Sequence, residues 1–220
     1  AVELRRHNYG RSSASHRARI ALGWKALPWE YVPVHLTRDG GEQHHPAYRA
    51  LNPMGQLPAL EVIEDDGGIK VITQSMAIIE WIDEMFAGPR LLPDSAWVRL
   101  RARAFADTIA CDIHPLNNLS PRTYLRDRLG VSEADGLAWY AHWIIKGFQA
   151  LELEAAAPRK TRFLFGDTPT IAEIALVPQM ANARRFKVDI SAFPALIALD
   201  AACLELDAIR RAAPENQKPA

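Results

Sequence analysis

The stretch Asn52-Pro53-Met54-Gly55-Gln56-Leu57-Pro58-Ala59-Leu60 constrains this chain most, because it sets two prolines five residues apart just ahead of an apolar run. Neither proline can donate a backbone hydrogen bond, and each pushes the residue before it out of helical space. A loop that enters a strand meets both conditions, with Pro58 at the entry. A cis bond there would turn the Leu57 N–H and C=O outward, where an extended ligand can pair with them. The sequence leaves the isomer open, and taken alone the stretch reads as an ordinary loop.

The segments around it give that loop a frame. Val2 to His7 alternates weakly as a strand, Asn8 to Ser15 is a small-residue turn, and Arg17 to Lys25 has helical spacing at Ile20, Ala21 and Trp24. Trp29 to His35 is rich in β-formers, and Pro33 within it marks an edge strand. Arg38 to His45 reads as a polar loop, with His44-His45 part of it rather than a metal site, and Tyr48 to Leu51 as a short helix. Ala59 to Ile63 and Ile69 to Ile72 flank the hairpin signal Glu64-Asp65-Asp66-Gly67-Gly68, and a helix runs from Ser75 to Phe86. The order is βαβ followed by ββα.

Beyond a Gly- and Pro-containing linker at 87–95 the strand patterns stop. Val98, Ala102, Phe105, Ile109 and Ile113 predict one long amphipathic helix, and Leu137 to Leu151 a second after Ser132. Thr170 and Glu173 form a capping-box pair at the start of another. The expected organisation is a small α/β domain at 1–86 and an all-α domain at 96–220, with a frayed end from Pro214.

Composition narrows the function classes. The 220 residues carry 26 basic and 26 acidic side chains, so nothing points to nucleic acid or an anionic membrane as partner. No apolar run reaches the ~18 residues of a membrane span. Cys111 and Cys203 stand far apart with no C-x-x-C, which predicts neither a disulfide framework nor a zinc site, and reads as a reducing cytoplasm.

Two helix starts carry candidate chemistry. Arg11-Ser12-Ser13-Ala14-Ser15 lies where the first strand gives way to the first helix, so hydroxyls and N–H groups converge on a helix N-terminus that favours an anion. Gln74-Ser75 repeats the situation at the third helix. Capping alone accounts for these serines equally well. Together with the Leu57-Pro58 corner, however, they offer backbone pairing for a peptide, donors for its carboxylate and a hydroxyl for a thiolate, a set that suits glutathione.

At this point the chain resembles the zeta class of glutathione transferases, most closely its maleylacetoacetate and maleylpyruvate isomerases. The resemblance rests on Ser12-Ser13-x-Ser15-x-Arg17-x-Arg19, Asp39-Gly40-Gly41-x-Gln43, the Asn52 to Leu60 stretch and Gln74-Ser75-x-Ala77-Ile78-Ile79-Glu80. It continues through Cys111 to Asn118, Leu176-Val177-Pro178-Gln179 and Ala183 to Asp189. It implies a thioredoxin-like N-terminal domain, a helical C-terminal domain, a homodimer, glutathione as cofactor and a small acidic substrate. It also implies a cis Pro58, with Leu57 pairing to the cysteine of glutathione, Gln74 and Ser75 holding its γ-glutamyl end, and Gln43 its glycine carboxylate. Ser12, with Ser13 beside it, matches the residue facing the thiolate. His114 and Asn118 match residues that line the cleft, and Arg11 and Arg185 positions that bind the acidic substrate. On residue type alone, His114 before Pro115 reads as a helix-kink residue, and Arg184-Arg185 as a solvated face.

The implied reaction is glutathione-dependent cis–trans isomerisation of a maleyl keto-acid. Conjugation or dehalogenation of small α-haloacids, and a non-catalytic binding module, remain as alternatives. Two departures stand out. Ala14 replaces the cysteine of the family's Ser-Ser-Cys. Leu119-Ser120 stands where the maleylpyruvate branch has two arginines, with Arg122 and Arg126 nearby.

Overall fold

The computed structural model describes residues 2–217, which divide into two units. Residues up to Leu91 and those from Leu206 onward form one; Leu92–Glu205 form the other. The break between Leu91 and Leu92 falls inside the expected linker.

In the first unit the elements run β1 (Glu3–Asn8), α1 (Ser13–Trp24), β2 (Glu30–Pro33), α2 (Pro46–Leu51), β3 (Ala59–Ile63), β4 (Ile69–Thr73) and α3 (Ser75–Met85). The sheet order is β2-β1-β3-β4, with β1 parallel to β2 and antiparallel to β3, and β3 antiparallel to β4. Pro33 lies in an edge strand, where its missing N–H interrupts no central ladder. Leu4, Leu60 and Val62 alternate onto one face of the sheet and are buried, as are Ile20 and Leu22 of α1 and Ile78, Ile79 and Ile82 of α3. The helices α1 and α3 pack on each other. A smaller cluster of Val34, Tyr48, Leu57 and Ala59 closes around α2. This is the thioredoxin-like arrangement.

Two expectations change here. The first helix begins at Ser13 rather than Arg17, because Ser12 caps it and Ser13-Ala14-Ser15 form its opening turn. The C-terminal residues also leave the helical domain. A further helix, at Asp207–Arg211, belongs to the first unit, where Gly23 of α1 admits the Ala208 carbonyl and Arg19 Nε donates to Ala212 O at 2.7 Å. The end expected to fray is a 3₁₀ turn over Pro214–Asn216, and Gln217 Nε2 donates to Arg211 O and Ala213 O; residues 218–220 lie outside the described ones.

The second unit contains α4 (Ala96–Asp107), α5 (His114–Asn117), α6 (Leu119–Asp127), α7 (Glu133–Ala156), α8 (Ile171–Arg185) and α9 (Pro194–Leu204), so the helix at Asp207–Arg211 is α10. The long helix expected over Val98 to Ile113 is interrupted. It ends at Asp107, and Thr108–Ile113 form a π turn before α5. Pro115 is the reason: it has no N–H for the Cys111 carbonyl and its ring crowds that turn, so the ladder widens just ahead of it. Pro178 sits inside α8 without ending it, since residues 171–180 are buried throughout and packing outweighs the lost bond.

The capping box at α8 forms as expected. Glu173 is fully buried, accepts from Thr170 N at 2.7 Å and Leu164 N at 2.8 Å, and takes the Thr170 hydroxyl at 3.0 Å. Burial raises its carboxyl pKa while these bonds pull the other way. Glu173→Gln exchanges one acceptor oxygen for an NH₂ that faces donors. The variant should lose about 1–3 kcal/mol of stability, the cost of an orphaned buried donor, read as a lower urea midpoint at unchanged slope.

Candidate active site

The sheet register brings three candidate segments of the first unit to one end. His7 pairs with Ala59, and Ala59 with Thr73, so the end of β1, the start of β3 and the end of β4 lie side by side. The next residues along the chain at that end are the turn leading to Ser12, the Leu57-Pro58 corner, and Gln74-Ser75. Arg17 Nη1 ties α1 to α3 by donating to Ser75 Oγ at 3.2 Å.

The Leu57-Pro58 bond is cis. The loop before it is pinned on one carbonyl: Gln56 O accepts from Tyr48 Oη at 2.6 Å and from Asn52 Nδ2 at 2.8 Å. Asn52 also accepts from Met54 N through its side chain and from Gly55 N through its backbone. The Leu57 N–H and C=O themselves take no partner among the described residues. A buried backbone pair of this kind, held rigidly and unsatisfied by the fold, fits an extended peptide that supplies both partners.

Ser12 does cap α1, as its residue type alone predicts. Its Oγ accepts from Ser15 N at 3.2 Å, and its N–H donates to Tyr9 O at 3.0 Å. The cap bond uses a lone pair only, so the hydroxyl proton remains to be donated, and accepting from an amide makes it the better donor. Capping and thiolate stabilisation are therefore compatible. Ser13 is buried as the first residue of the helix, and Ala14 lies in the same turn. Arg11 is exposed immediately before Ser12.

Gln74 holds a left-handed backbone at φ 69°, ψ 117° and offers α3 no side-chain cap. A non-glycine residue in that region is strained by an amount of order 1–3 kcal/mol, and such residues cluster at ligand clamps. Gln43 is turned inward: its Nε2 donates to Leu36 O and lies 3.2 Å from His44 Nε2, while its buried Oε1 has no partner among the described residues. Gly41 makes room for it, since a Cβ there would fall 2.6 Å from Gln43 Nε2 and the φ of 99° excludes most other residues.

In the second unit His114 is buried at the π turn, and Asn118 caps α6 by accepting from Leu119 N at 2.8 Å. The two C-terminal arginines of α8 separate. Arg184 Nη1 pairs with Asp200 Oδ2 at 2.6 Å and joins α8 to α9; Arg185 Cζ stands 4.8 Å from the centre of the Phe186 ring. Among the described residues no group of three or more His, Cys, Asp or Glu is placed to hold a metal ion.

A family model for the glutathione S-transferase N-terminal domain matches residues 11–85. Maleylpyruvate isomerase from a Ralstonia species is 50% identical over 97% of this chain and 98% of its own length. The probable maleylacetoacetate isomerase of Vibrio cholerae is 44% identical over 97% of each chain. A solved holo maleylpyruvate isomerase, described as a bacterial zeta-class glutathione S-transferase, matches at TM-score 0.90 and 47% identity over 98% of this chain and 100% of its own. The chain belongs to the zeta-class glutathione transferases. Maleylacetoacetate isomerase from Anaeromyxobacter dehalogenans, solved with glutathione bound in its active site, matches at TM-score 0.87 and 39% identity over 99% and 97% of the two chains.

One positioning residue of this transferase escapes a reading by residue type. Arg19 is buried; its guanidinium donates to Asn8 Oδ1, Tyr9 O, Gly10 O and Ala212 O, and so holds the turn that presents Ser12. Burial pulls its pKa down to about 10. Arg19 lies within the quoted motif, but its partners come from a turn and from a helix at the far end of the chain.

Proposed function

We propose that the chain is a glutathione-dependent cis–trans isomerase of a maleyl keto-acid, acting in the breakdown of aromatic compounds. The observation that carries this reading is the sheet register of the first unit, which puts the unpaired Leu57 backbone, the turn to Ser12 and the Gln74-Ser75 helix start at one end. The curated names of the relatives point the same way.

In this reading Leu57 pairs through N–H and C=O with the cysteinyl residue of glutathione, and Gln74 with Ser75 holds the γ-glutamyl end. Glutathione supplies a thiolate, the nucleophile that lets a conjugated carbon–carbon double bond rotate and then re-form. The Ser12 hydroxyl donates to the sulfur, and the N-terminus of α1 adds the positive end of its dipole; both favour the charged form. Arg11 and Arg185 hold carboxylates of the substrate, while His114 and Asn118 help to bind glutathione. Gln43, whose amide nitrogen is engaged by Leu36 O, takes a carboxylate only if that side chain turns.

The protein acts as a homodimer in the cytoplasm. Large apolar side chains left on the surface of each unit support the dimer, Met54 and Ile69 on the first and Trp97 and Leu100 on the second. No helix among the described residues is long and apolar enough to cross a membrane.

The test follows isomerisation of maleylpyruvate and maleylacetoacetate side by side, with and without glutathione. Turnover should require glutathione without consuming it, and the faster substrate names the pathway. Glutathione consumed in step with halide released from an α-haloacid, with neither maleyl acid isomerised, would replace this reading with the transferase alternative.

A further inference from the structure

We infer that Arg122 is a second substrate-binding arginine, which together with Arg185 clamps one carboxylate of a short keto-dicarboxylate. The inference rests on the isomerase reading above and assigns the specificity of that same site.

Tyr140 of α7 and Phe186 at the end of α8 are in contact, with ring centres 4.2 Å apart and planes tilted by 38°. Arg122 Cζ, from α6, lies 4.6 Å from the Phe186 centre and 5.2 Å from that of Tyr140; Arg185 Cζ lies 4.8 Å from the same Phe186. Helices α6 and α8 thus bring two guanidiniums to one aromatic ring, against which α7 sets Tyr140. A ring beneath a guanidinium holds it in place, and in Arg122 no described residue occupies the N–H edge that makes the two-pronged bond a carboxylate accepts.

Arg126, on the same helix, pairs with Asp127, and Arg184 of α8 pairs with Asp200, whereas Arg122 has no carboxylate partner among the described residues. Among the described residues Arg122 makes no ion pair and no side-chain hydrogen bond; its contacts are the two rings. Half-buried, it also repels Arg185. Burial first, then Arg185 and Arg126, lower its pKa. A half-buried cation beside a second cation, with no fixed anion, is the arrangement that an incoming anion stabilises. The partner that fits is a planar carboxylate on a substrate short enough for its other carboxylate to be held elsewhere.

The rival account is that Arg122 merely covers Tyr140 and Phe186. Arg122→Met separates the two, because it keeps an apolar stem over the rings and removes only the charge. In steady-state kinetics of the full chain at saturating glutathione, the variant should raise KM for the maleyl acid roughly tenfold or more, the loss of one charge-assisted pair. Its kcat, glutathione affinity and thermal midpoint should stay close to the parent's. Arg122→Lys should recover part of the loss, and Arg122→Met with Arg185→Met should cost less than the sum of the two. An unchanged KM, or a KM change matched by a fallen thermal midpoint, overturns the clamp.

If the parent protein isomerises neither maleyl acid, the isomerase reading fails by itself, and calorimetry with 4-oxopimelate, an unreactive keto-dicarboxylate, decides the clamp. Weaker binding to Arg122→Met than to the parent sustains it under a different reaction. Equal or undetectable binding to both overturns it.

Discussion

Asp83→Ala is expected to destabilise the first unit by about 3–5 kcal/mol, the range for breaking a buried ion pair from one side. Lys25 Nζ and Asp83 Oδ1 are 2.9 Å apart, and both side chains are fully shielded from solvent. The same carboxylate accepts from Leu91 N at 2.8 Å and meets Arg90 Nε at 3.2 Å. Without it, the Lys25 ammonium keeps only long bonds to Phe86 O at 3.3 Å and Gly88 O at 3.5 Å, and the Leu91 N–H is orphaned. Lys25 ends α1 and Asp83 lies in the last turns of α3, so the pair fastens the two helices whose other ends carry Ser12 and Ser75. Denaturant unfolding reads the loss. Lys25→Met combined with Asp83→Leu should recover part of it, since no buried charge is then left unpaired, although the Leu91 N–H stays without its acceptor. If Asp83→Ala alone cost under about 1 kcal/mol, the pair would be solvated in solution and the two helices held by packing alone.

Local patterns in the sequence carried the first unit further than the second. The hairpin at Glu64 to Gly68, the strands around it and the capping box at Thr170 all depend on neighbours within a few residues, and all form as their residue types predict. The start of α1 did not read as helix, because Ser13-Ala14-Ser15 are equally good turn formers until Ser12 is seen to cap them. Apolar spacing alone ran α4 on through Ile113, although Pro115 just beyond marks where the ladder must widen. Helix α9, Pro194–Leu204, is apolar nearly all round and so lacks the polar face that defines a period. Side chains that act across the fold were the least legible. Arg19 bonds a carbonyl 193 residues away, and Arg122 acquires meaning only once α7 and α8 bring Tyr140 and Phe186 beneath it. The Leu57-Pro58 corner and the Gln74-Ser75 start stood out because proline and helix-cap chemistry confine the backbone locally, whatever the rest of the chain does.

Ser12→Ala should lower glutathione-dependent turnover some ten- to hundredfold, because it removes a charge-assisted hydrogen bond to the thiolate worth roughly 1.5–3 kcal/mol. The sign of the accompanying titration follows from which form the hydroxyl favours. A donor stabilises the charged sulfur, so its loss raises the thiol pKa of bound glutathione, each unit corresponding to ~1.4 kcal/mol. The rate profile should therefore shift to higher pH, and the deficit should shrink once the medium is alkaline enough to ionise the thiol unaided. Ser12 also caps α1, so the same change removes a cap worth about 0.5–2 kcal/mol and lowers the thermal midpoint. Ser12→Gly keeps most of the N-cap preference with no side-chain donor, and Ser12→Thr keeps both cap and hydroxyl. If the hydroxyl acts on sulfur, the glycine variant folds nearly like the parent but shares the raised thiol pKa of the alanine variant, read from thiolate absorbance, while the threonine variant retains activity. Should the thiol pKa and rate of the glycine variant match the parent's, Ser12 is a helix cap alone, and the α1 N-terminus carries the stabilisation of the thiolate without it.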